Sequence, residues 1–125
     1  MWTVDLGLIE AWLMGLDDDT YDQVVAAFEL LQEHGPQLAR PIVDTVKGSS
    51  YKNMKELRPG SSGKSELRML FAFDPQRQAI VLVAGDKTGN WKTWYRANIP
   101  IADARFTEHL AQLEKQTEKD KTKRK

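Results

Sequence analysis

Residues 66–84 read ELRMLFAFDPQRQAIVLVA, two apolar runs separated by the polar segment DPQR. Each run has the length of a β-strand, and Asp and Pro at the junction favour a tight turn. We therefore predict an antiparallel pair of strands over residues 66–73 and 78–84. The second run is apolar enough to lie at the centre of a sheet.

Two further strands are predicted before this pair. Residues 2–6 alternate between large apolar and polar side chains, which suits a strand with one buried face. From Asn53 onward the period is two, with Met54, Glu56 and Arg58 alternating with Lys55 and Leu57, which predicts a second strand. Residues 59–63 have the Pro, Gly and Ser content of a hairpin loop. Residues 36–52, which contain two prolines, look irregular.

The spacing of apolar side chains predicts three helices, over residues 9–16, 21–34 and 98–116. A run of capping side chains precedes the second helix, and within it Thr20 and Gln23 fit a capping box. The third helix is predicted to begin at Asn98, with Pro100 in its first turn. Residues 117–125 contain no apolar side chain and are predicted to form a charged, disordered tail.

The predicted order of elements, β-α-α-β-β-β-α, indicates a single α+β domain over residues 1–116. We expect a small antiparallel sheet with the two N-terminal helices and the C-terminal helix packed on one side. A length of 125 residues suits one domain, and the absence of cysteine excludes disulfides and thiolate metal sites. The longest apolar run, residues 79–84, is far shorter than the about 18 residues of a membrane helix. We therefore expect a soluble, cytoplasmic protein.

Motifs for nucleotide and metal chemistry do not match this sequence. Residues 60–65, GSSGKS, resemble a phosphate-binding loop, but Arg58 stands where the first glycine is required and a strand is predicted to follow. The two histidines, His34 and His109, are expected to cap a helix and to pack in the core. We predict no metal site and no cofactor.

Charge is distributed unevenly along the chain, although the net charge is zero. Residues 1–45 contain nine acids and one base, a balance of −8, whereas residues 46–105 contain eleven bases and five acids, a balance of +6. The basic region could bind a polyanion, although such charges also serve simply to solvate a surface.

Basic and aromatic side chains concentrate on and after the predicted sheet. They are Lys55, Arg58 and Arg68 on the strands and Lys87, Trp91, Lys92, Trp94, Tyr95 and Arg96 after them. By alternation Lys55 faces one way and Arg58 the other, unless a bulge intervenes. Clustered cations stabilise the charge of a phosphodiester transition state, and aromatic rings stack on bases. Alternatively, Trp91, Trp94 and Tyr95 belong to the core or to a partner surface.

Five short blocks occur in a characteristic order: residues 47–49 (KGS), 53–58 (NMKELR), 66–71 (ELRMLF), 83–88 (VAGDKT) and 99–105 (IPIADAR). Together they resemble the HigB branch of the RelE/ParE toxin superfamily, especially its phage-derived subgroup with KELRPG and AGDK blocks. The resemblance covers about residues 1–113. It implies a RelE-like fold and the toxin of a type II toxin–antitoxin pair.

The resemblance also implies an activity and partners. The expected activity is cleavage of mRNA in the decoding site of the ribosome, by attack of the substrate's own 2′-hydroxyl on the adjacent phosphate, without metal. The expected partner is a HigA-like helix-turn-helix antitoxin, through which alone the toxin would meet operator DNA. We expect the helical, acidic side of the domain to face that antitoxin.

Roles for individual residues follow from the resemblance. Arg68 matches the arginine of the family's central strand and is expected to contact the scissile phosphate. Lys55 and Arg58 match the basic positions of the preceding strand. Lys87 matches a residue that stabilises charge or donates a proton, and Tyr95 matches a late aromatic residue.

Contacts with RNA are expected from Lys47, Trp91, Lys92, Tyr95 and Arg96. Where the family uses histidine as general base, this sequence has none near the predicted sheet. A lysine of lowered pKa among Lys55, Lys87 and Lys92 would have to serve instead.

Two other functions stay open at this point. A ParE-like protein would bind and poison DNA gyrase without cleaving RNA, since one fold serves both ends. A prophage-derived remnant would bind its antitoxin but lack toxicity. The basic residues on the predicted sheet favour the nuclease over the gyrase poison.

Overall fold

A hairpin of two long strands lies at the centre of the structure, a computed structural model that describes residues 1–60 and 66–123. In chain order the elements are β1 (Thr3–Asp5), α1 (Glu10–Met14), α2 (Asp18–His34), β2 (Val43–Thr45), β3 (Lys55–Leu57), β4 (Leu67–Phe73), β5 (Gln78–Asp86) and α3 (Trp91–Lys123). Single 3₁₀ turns lie at Gly7–Ile9 and Gly35–Gln37. The greater part of the predicted hairpin loop and of the GSSGKS segment, residues 61–65, lies outside the described residues.

The described strands form one sheet in the order β1-β5-β4-β3-β2. β4 and β5 pair antiparallel, as the sequence predicts. At their turn the Asp74 carboxylate accepts the backbone N–H groups of Gln76 and Gln78, and Arg77 adopts a φ of 65°. β1 runs parallel to β5, so the sheet is mixed rather than wholly antiparallel. The α+β class is confirmed.

The two short edge strands, β1 and β2, account for the differences between the predicted sheet and the observed one. β2 lies in the segment predicted to be irregular, because three strand residues between a proline and a glycine are too few to show a period. β1 is equally short. Its alternating pattern predicts a strand but does not predict which other strand it pairs with. The pairing of both strands depends on the path of the chain rather than on local pattern.

Helices cover both faces of the sheet, which corrects the expectation that they pack on one side. The core under α1 and α2 includes Leu57, Met69, Phe71 and Val81 of the strands with Phe28 and Leu31 of α2. The core under α3 includes Met54, Leu70, Ala72 and Leu82 with Ala102 and Phe106 of α3. β4 and β5 carry apolar side chains on both faces of the sheet. Because apolar side chains must be buried, helices have to cover both faces.

The helix starts differ from the predicted ones. Asp17, rather than Thr20, caps α2, and its carboxylate accepts the backbone N–H of Thr20 at 3.3 Å. α3 begins at Trp91 rather than Asn98, and Pro100 therefore lies inside the helix. Pro100 lacks an N–H group, so the helix loses one backbone hydrogen bond there. The packing of its buried face against the sheet stabilises the helix beyond this point.

α3 also extends beyond its predicted end. Residues 117–123 are helical, although the sequence predicts disorder from residue 117. Lys, Glu and Gln favour helices, and a hydrogen bond of 3.2 Å from Gln116 to Asp120 links successive turns. The domain boundary at residue 116 stays a prediction, and residues 124–125 lie outside the described residues. In the described chain no helix is long and apolar enough to cross a membrane.

Candidate functional site

A cleft of about 610 Å³ opens between the start of α3 and the edge of the sheet formed by β2 and β3. It is lined by Arg40, Asp44, Thr45, Val46, Lys47, Glu56, Arg58, Trp91, Tyr95 and Ile99. Three cations and two carboxylates among these side chains make the cleft polar and slightly positive. A charged cleft lined by the exposed ring of Trp91 is suited to a polyanion that also carries rings.

Strand alternation decides which predicted site residues face this cleft. Glu56 pairs with Leu70, which belongs to the core under α3, so Glu56 faces α3. Arg68, two residues before Leu70, faces the same way. Lys55 pairs with Phe71, which belongs to the core under α1 and α2. The sheet therefore separates Lys55 from Arg58 and Arg68.

The Glu56 carboxylate connects the charged groups of the cleft. Only 4% of the residue is exposed. Its Oε1 accepts hydrogen bonds from Arg58 Nε at 3.0 Å and Nη2 at 2.6 Å. Its Oε2 accepts the hydroxyl of Tyr95 at 2.5 Å. Both carboxylate oxygens are thus engaged, one by a cation and one by a phenol.

Arg58 is held by two carboxylates. Besides Glu56, it donates from Nη2 to Asp44 at 3.1 Å, and Asp44 also pairs with Arg40 at 3.1 Å. The hydrogen bond from Arg40 keeps the pKa of Asp44 below its usual value. The hydrogen bond to Glu56 raises the pKa of Arg58 further. Arg58 is therefore a permanently charged and oriented cation at the cleft.

Arg68 is half-buried on the α3 side of β4. Its Nη1 donates to the backbone carbonyl of Leu67 at 2.8 Å. Its Nε is buried, and no described residue accepts a hydrogen bond from it. The guanidinium lies close enough to the hydroxyl of Tyr95 to oppose the rise in the pKa of that group. Arg68 thus places a cation beside Tyr95 and the cleft.

Tyr95 sits at the contact between α3 and the sheet. Burial, followed by the Glu56 carboxylate that accepts its hydroxyl, raises the pKa of Tyr95 to about 12. At neutral pH the phenol therefore keeps its proton and donates it to Glu56. Its ring meets Trp91 at 6.5 Å and Trp94 at 5.2 Å between centroids, both edge to face.

Alkaline pH is expected to weaken the fold through Tyr95. The pKa of about 12 in the folded state exceeds the ordinary value of 10.0, so the folded state holds this proton more tightly. The resulting stability is fully present below pH 10 and is lost as the pH rises toward 12. Urea denaturation at fixed pH steps should show a steeper decline of the free energy of unfolding in the wild type than in Tyr95→Phe. Equal slopes would contradict this expectation, and Tyr51→Phe should retain the wild-type slope.

Lys87 shares the face of Arg68. Arg68 pairs with Gly85. Two residues after Gly85, the backbone N–H of Lys87 donates to the carbonyl of Glu66, which lies two residues before Arg68. Lys87 and Arg68 are therefore diagonal neighbours on one face of the sheet. Lys87 Nζ lies 3.8 Å from the Glu66 carboxylate. Gly85 permits this part of the sheet to meet α3, because a Cβ there would come within 2.6 Å of Trp94 Nε1.

The predicted RNA-binding residues are divided between two neighbouring places. Lys47 and Trp91 line the cleft, and Lys92 Nζ lies 5.4 Å from the centroid of the Trp91 ring. Arg96 lines an adjacent depression with Gly48 and Asp103. Trp94 is partly buried against the core under α3, which agrees with the alternative that it packs in the core.

Sequence reasoning missed Glu56 and Asp44. Both are acidic in a site sought through its bases, although Glu56 lies in the same alternating row as the buried Met54. A carboxylate at a strand position that the pattern predicts to be buried would have indicated Glu56, because a buried charge needs a partner. Among residues 1–60 and 66–123, no three His, Asp or Glu side chains converge as metal ligands do.

Comparisons with known proteins assign the chain to a family. Residues 11–107 match the family model described as "Phage derived protein Gp49-like (DUF891)". The chain is 62% identical over 113 residues to "Putative toxin HigB2" of Mycobacterium tuberculosis (strain ATCC 25618 / H37Rv), covering 90% of this chain but only 56% of that protein. It is 50% identical over 111 residues to "Putative toxin HigB3" of the same strain, covering 89% of this chain and 95% of that protein. The chain thus belongs to the phage-derived Gp49-like family, and it is similar to two proteins that carry the HigB name.

Proposed function

We propose that this chain is the toxin of a type II toxin–antitoxin pair and that it acts as an endoribonuclease on mRNA bound to the ribosome. The names of the two mycobacterial relatives support the toxin role. The observation that carries the nuclease role is the position of Arg68, a half-buried guanidinium that adjoins Tyr95 beside a positively charged cleft. A guanidinium group is suited to pair with a phosphate oxygen.

The charges around the cleft favour an anionic substrate. With Arg68 included, the cations Arg40, Lys47, Arg58 and Arg68 face the carboxylates of Asp44 and Glu56, an excess of two positive charges. Trp91, which is 54% exposed, stands at the rim of the cleft and offers a ring for a base. Backbone phosphates and stacked bases together describe a single-stranded nucleic acid.

The reaction is attack of a 2′-hydroxyl on the adjacent phosphorus, with release of the 5′-oxygen and formation of a 2′,3′-cyclic phosphate. Arg68 and Arg58 stabilise the charge on the pentacoordinate phosphorus, because their N–H groups are already oriented. Lys87 gives a proton to the departing 5′-oxygen from the face that it shares with Arg68. Lys92 and Arg96 hold flanking phosphates. Lys55, on the other face of the sheet, has no part in this scheme.

The partner that neutralises the toxin is a HigA-like helix-turn-helix antitoxin, which also carries any contact with operator DNA. The surface we assign to it is the side formed by α1 and α2, which carries most of the acids of residues 1–45. A basic segment of the antitoxin would be attracted there without entering the cleft.

Mapping of RNA 5′ ends tests the proposal. The chain is induced in cells with and without the product of the neighbouring gene. The purified protein is incubated with mRNA alone and with mRNA on programmed ribosomes. We expect new 5′ ends within coding regions, cleavage only with ribosomes, and rescue by the neighbouring protein.

A supercoiling assay with DNA gyrase accompanies this experiment. Intact transcripts together with impaired supercoiling would replace the nuclease by a gyrase poison. Harmless expression with an intact complex between the two proteins would indicate a remnant that only binds its antitoxin.

A further inference from the structure

Two carboxylates stand opposite each other at the sheet edge of the cleft. Asp44 of β2 pairs directly with Glu56 of β3, and both side chains line the cleft. Like charges in directly opposite positions repel each other. Arg58 lies between the two carboxylates and donates hydrogen bonds to both. The guanidinium therefore faces two negative charges, although one would neutralise it.

The two carboxylates hold Arg58 unequally. Glu56 Oε1 accepts Arg58 Nε at 3.0 Å and Nη2 at 2.6 Å, whereas Asp44 Oδ2 accepts only Nη2, at 3.1 Å. Two bonds along one edge of a guanidinium fix its orientation, and a single longer bond adds little to it. Glu56 is therefore sufficient to position Arg58, and the orientation of Arg58 does not explain Asp44.

Asp44 occupies the part of the guanidinium that a phosphate would use. An arginine presents two pairs of parallel N–H groups, Nε with Nη2 and Nη1 with Nη2. Glu56 accepts the first pair. The second pair includes the other hydrogen of Nη2, and Nη2 also donates to Asp44. A phosphate that binds Arg58 through two N–H groups must therefore displace Asp44.

Arg40 gives Asp44 another partner when this happens. Arg40 Nε lies 3.1 Å from Asp44 Oδ1, and the Arg40 side chain is 78% exposed, against 19% for Asp44. The backbone N–H of Thr45 also donates to Asp44 Oδ1, at 2.8 Å. Because these two groups remain, a phosphate can take Nη2 of Arg58 without leaving the half-buried Asp44 unpaired. Asp44 thus opposes the binding of a phosphate without preventing it.

We infer, on the basis of the proposed function, that Asp44 determines which RNA the nuclease accepts, because it competes with the RNA phosphate for Arg58. The competition keeps the affinity for free single-stranded RNA low. An mRNA on the ribosome is presented to the bound protein at a high effective concentration, and it can displace Asp44 where free RNA rarely does. Asp44 acts through Arg58 and touches no reacting atom, so it is a positioning residue that sets specificity.

Binding of free RNA tests the competition. The probe is a fluorescein-labelled single strand of about ten nucleotides, with 2′-O-methyl groups that prevent cleavage, and fluorescence anisotropy measures its affinity. At about 50 mM salt, Asp44→Asn should bind about 3- to 10-fold more tightly than the wild type. The logarithm of its association constant should also fall more steeply with the logarithm of salt concentration, by about 0.7, the value for one further phosphate contact with a single strand. Unchanged or weaker binding by a folded Asp44→Asn would overturn the inference.

The sign of the effect separates this role from a structural one. Damage to the site would weaken RNA binding, so a gain in affinity cannot arise from the loss of a structural contact. Circular dichroism checks folding, and Asp44→Ser, which also lacks the charge, decides the outcome if Asp44→Asn does not fold.

Asp5→Asn is the matched control. Asp5 lies on β1, at the edge of the sheet opposite β2, and its Oδ1 accepts the backbone N–H of Gly7 at 2.9 Å, much as Asp44 accepts that of Thr45. The substitution changes the net charge by the same amount, and RNA affinity should stay within about 1.5-fold of the wild type. An equal gain in Asp5→Asn and Asp44→Asn would attribute the effect to net charge and overturn the inference.

Cleavage tests the consequence for specificity. Asp44→Asn should cleave mRNA on saturating programmed ribosomes within about three-fold of the wild-type rate, while the ratio of cleavage of free RNA to cleavage on ribosomes rises by about 3- to 10-fold. If the wild type cleaves on ribosomes but neither this ratio nor RNA affinity changes in Asp44→Asn, the inference fails and the proposed function stands. If Asp44→Asn binds RNA more tightly but neither protein cleaves, the nuclease is excluded and the competition for Arg58 stands.

Discussion

Arg68→Ala should abolish toxicity and lower ribosome-dependent cleavage by about 100- to 1,000-fold, the usual cost of removing one oriented donor from a charged transition state. The side chain is half-buried on β4, its Nε has no acceptor among the described residues, and it adjoins Tyr95. Arg68→Lys should be nearly as slow, because an ammonium group does not present parallel N–H donors to a phosphate.

Arg77→Asn is the control for the loss of charge. Arg77 lies in the turn between β4 and β5, over the ring of Trp2, and its φ of 65° is one that Asn tolerates. This variant should cleave as the wild type does. Cleavage of Arg68→Ala within ten-fold of wild type would remove Arg68 from the proposed reaction.

Asp74→Ala should lower the free energy of unfolding by about 3 kcal/mol, a large part of the stability of a domain this size. The Asp74 side chain is fully buried. It accepts the N–H groups of Gln76 and Gln78 at 2.9 Å each and bonds His109 Nε2 at 2.8 Å. Truncation leaves these groups without their acceptor and detaches α3 from the central turn. Urea denaturation measures the change.

Asp86→Ala is the matched control for burial. The Asp86 carboxylate also accepts two backbone N–H groups, from Glu66 at 3.1 Å and Thr88 at 2.9 Å, but the residue is exposed. Water can replace such an acceptor, so we expect a loss of about 1 kcal/mol or less. Equal losses in the two variants would show that burial of Asp74 does not matter. A double-mutant cycle with His109→Ala isolates the contact between α3 and the turn.

Helices and strands could be predicted where the sequence pattern that specifies them lies within a few consecutive residues. The hairpin of β4 and β5 follows from two apolar runs around DPQR, and α2 follows from its apolar face. The start of α3 was missed because Pro100 resembles the proline of a first helical turn. Nothing in residues 91–97 breaks a helix, and packing against the sheet carries the helix past the proline.

The same holds for the candidate site: features that depend on nearby residues in the sequence could be predicted, and contacts between distant residues could not. The residue types of Arg58, Arg68 and Lys87 indicated a phosphate site, and alternation correctly placed Lys55 and Arg58 on opposite faces. The contact of Glu56 with Tyr95 joins residues 39 positions apart, which no local pattern records. The roles assigned to these residues stay predictions until the variants are measured.

Periodicity and turn chemistry were enough to establish the α+β class and the central hairpin, and the charge count was enough to locate a basic region, because each depends on residues that are near one another along the chain. The assembled fold decided which of those basic side chains lie on the same face of the sheet. A strand apolar on both faces gives no sign of which helix will cover which side. Once α3 covers the face that holds Glu56 and Arg68, the sheet itself excludes Lys55, one residue away, from the cleft.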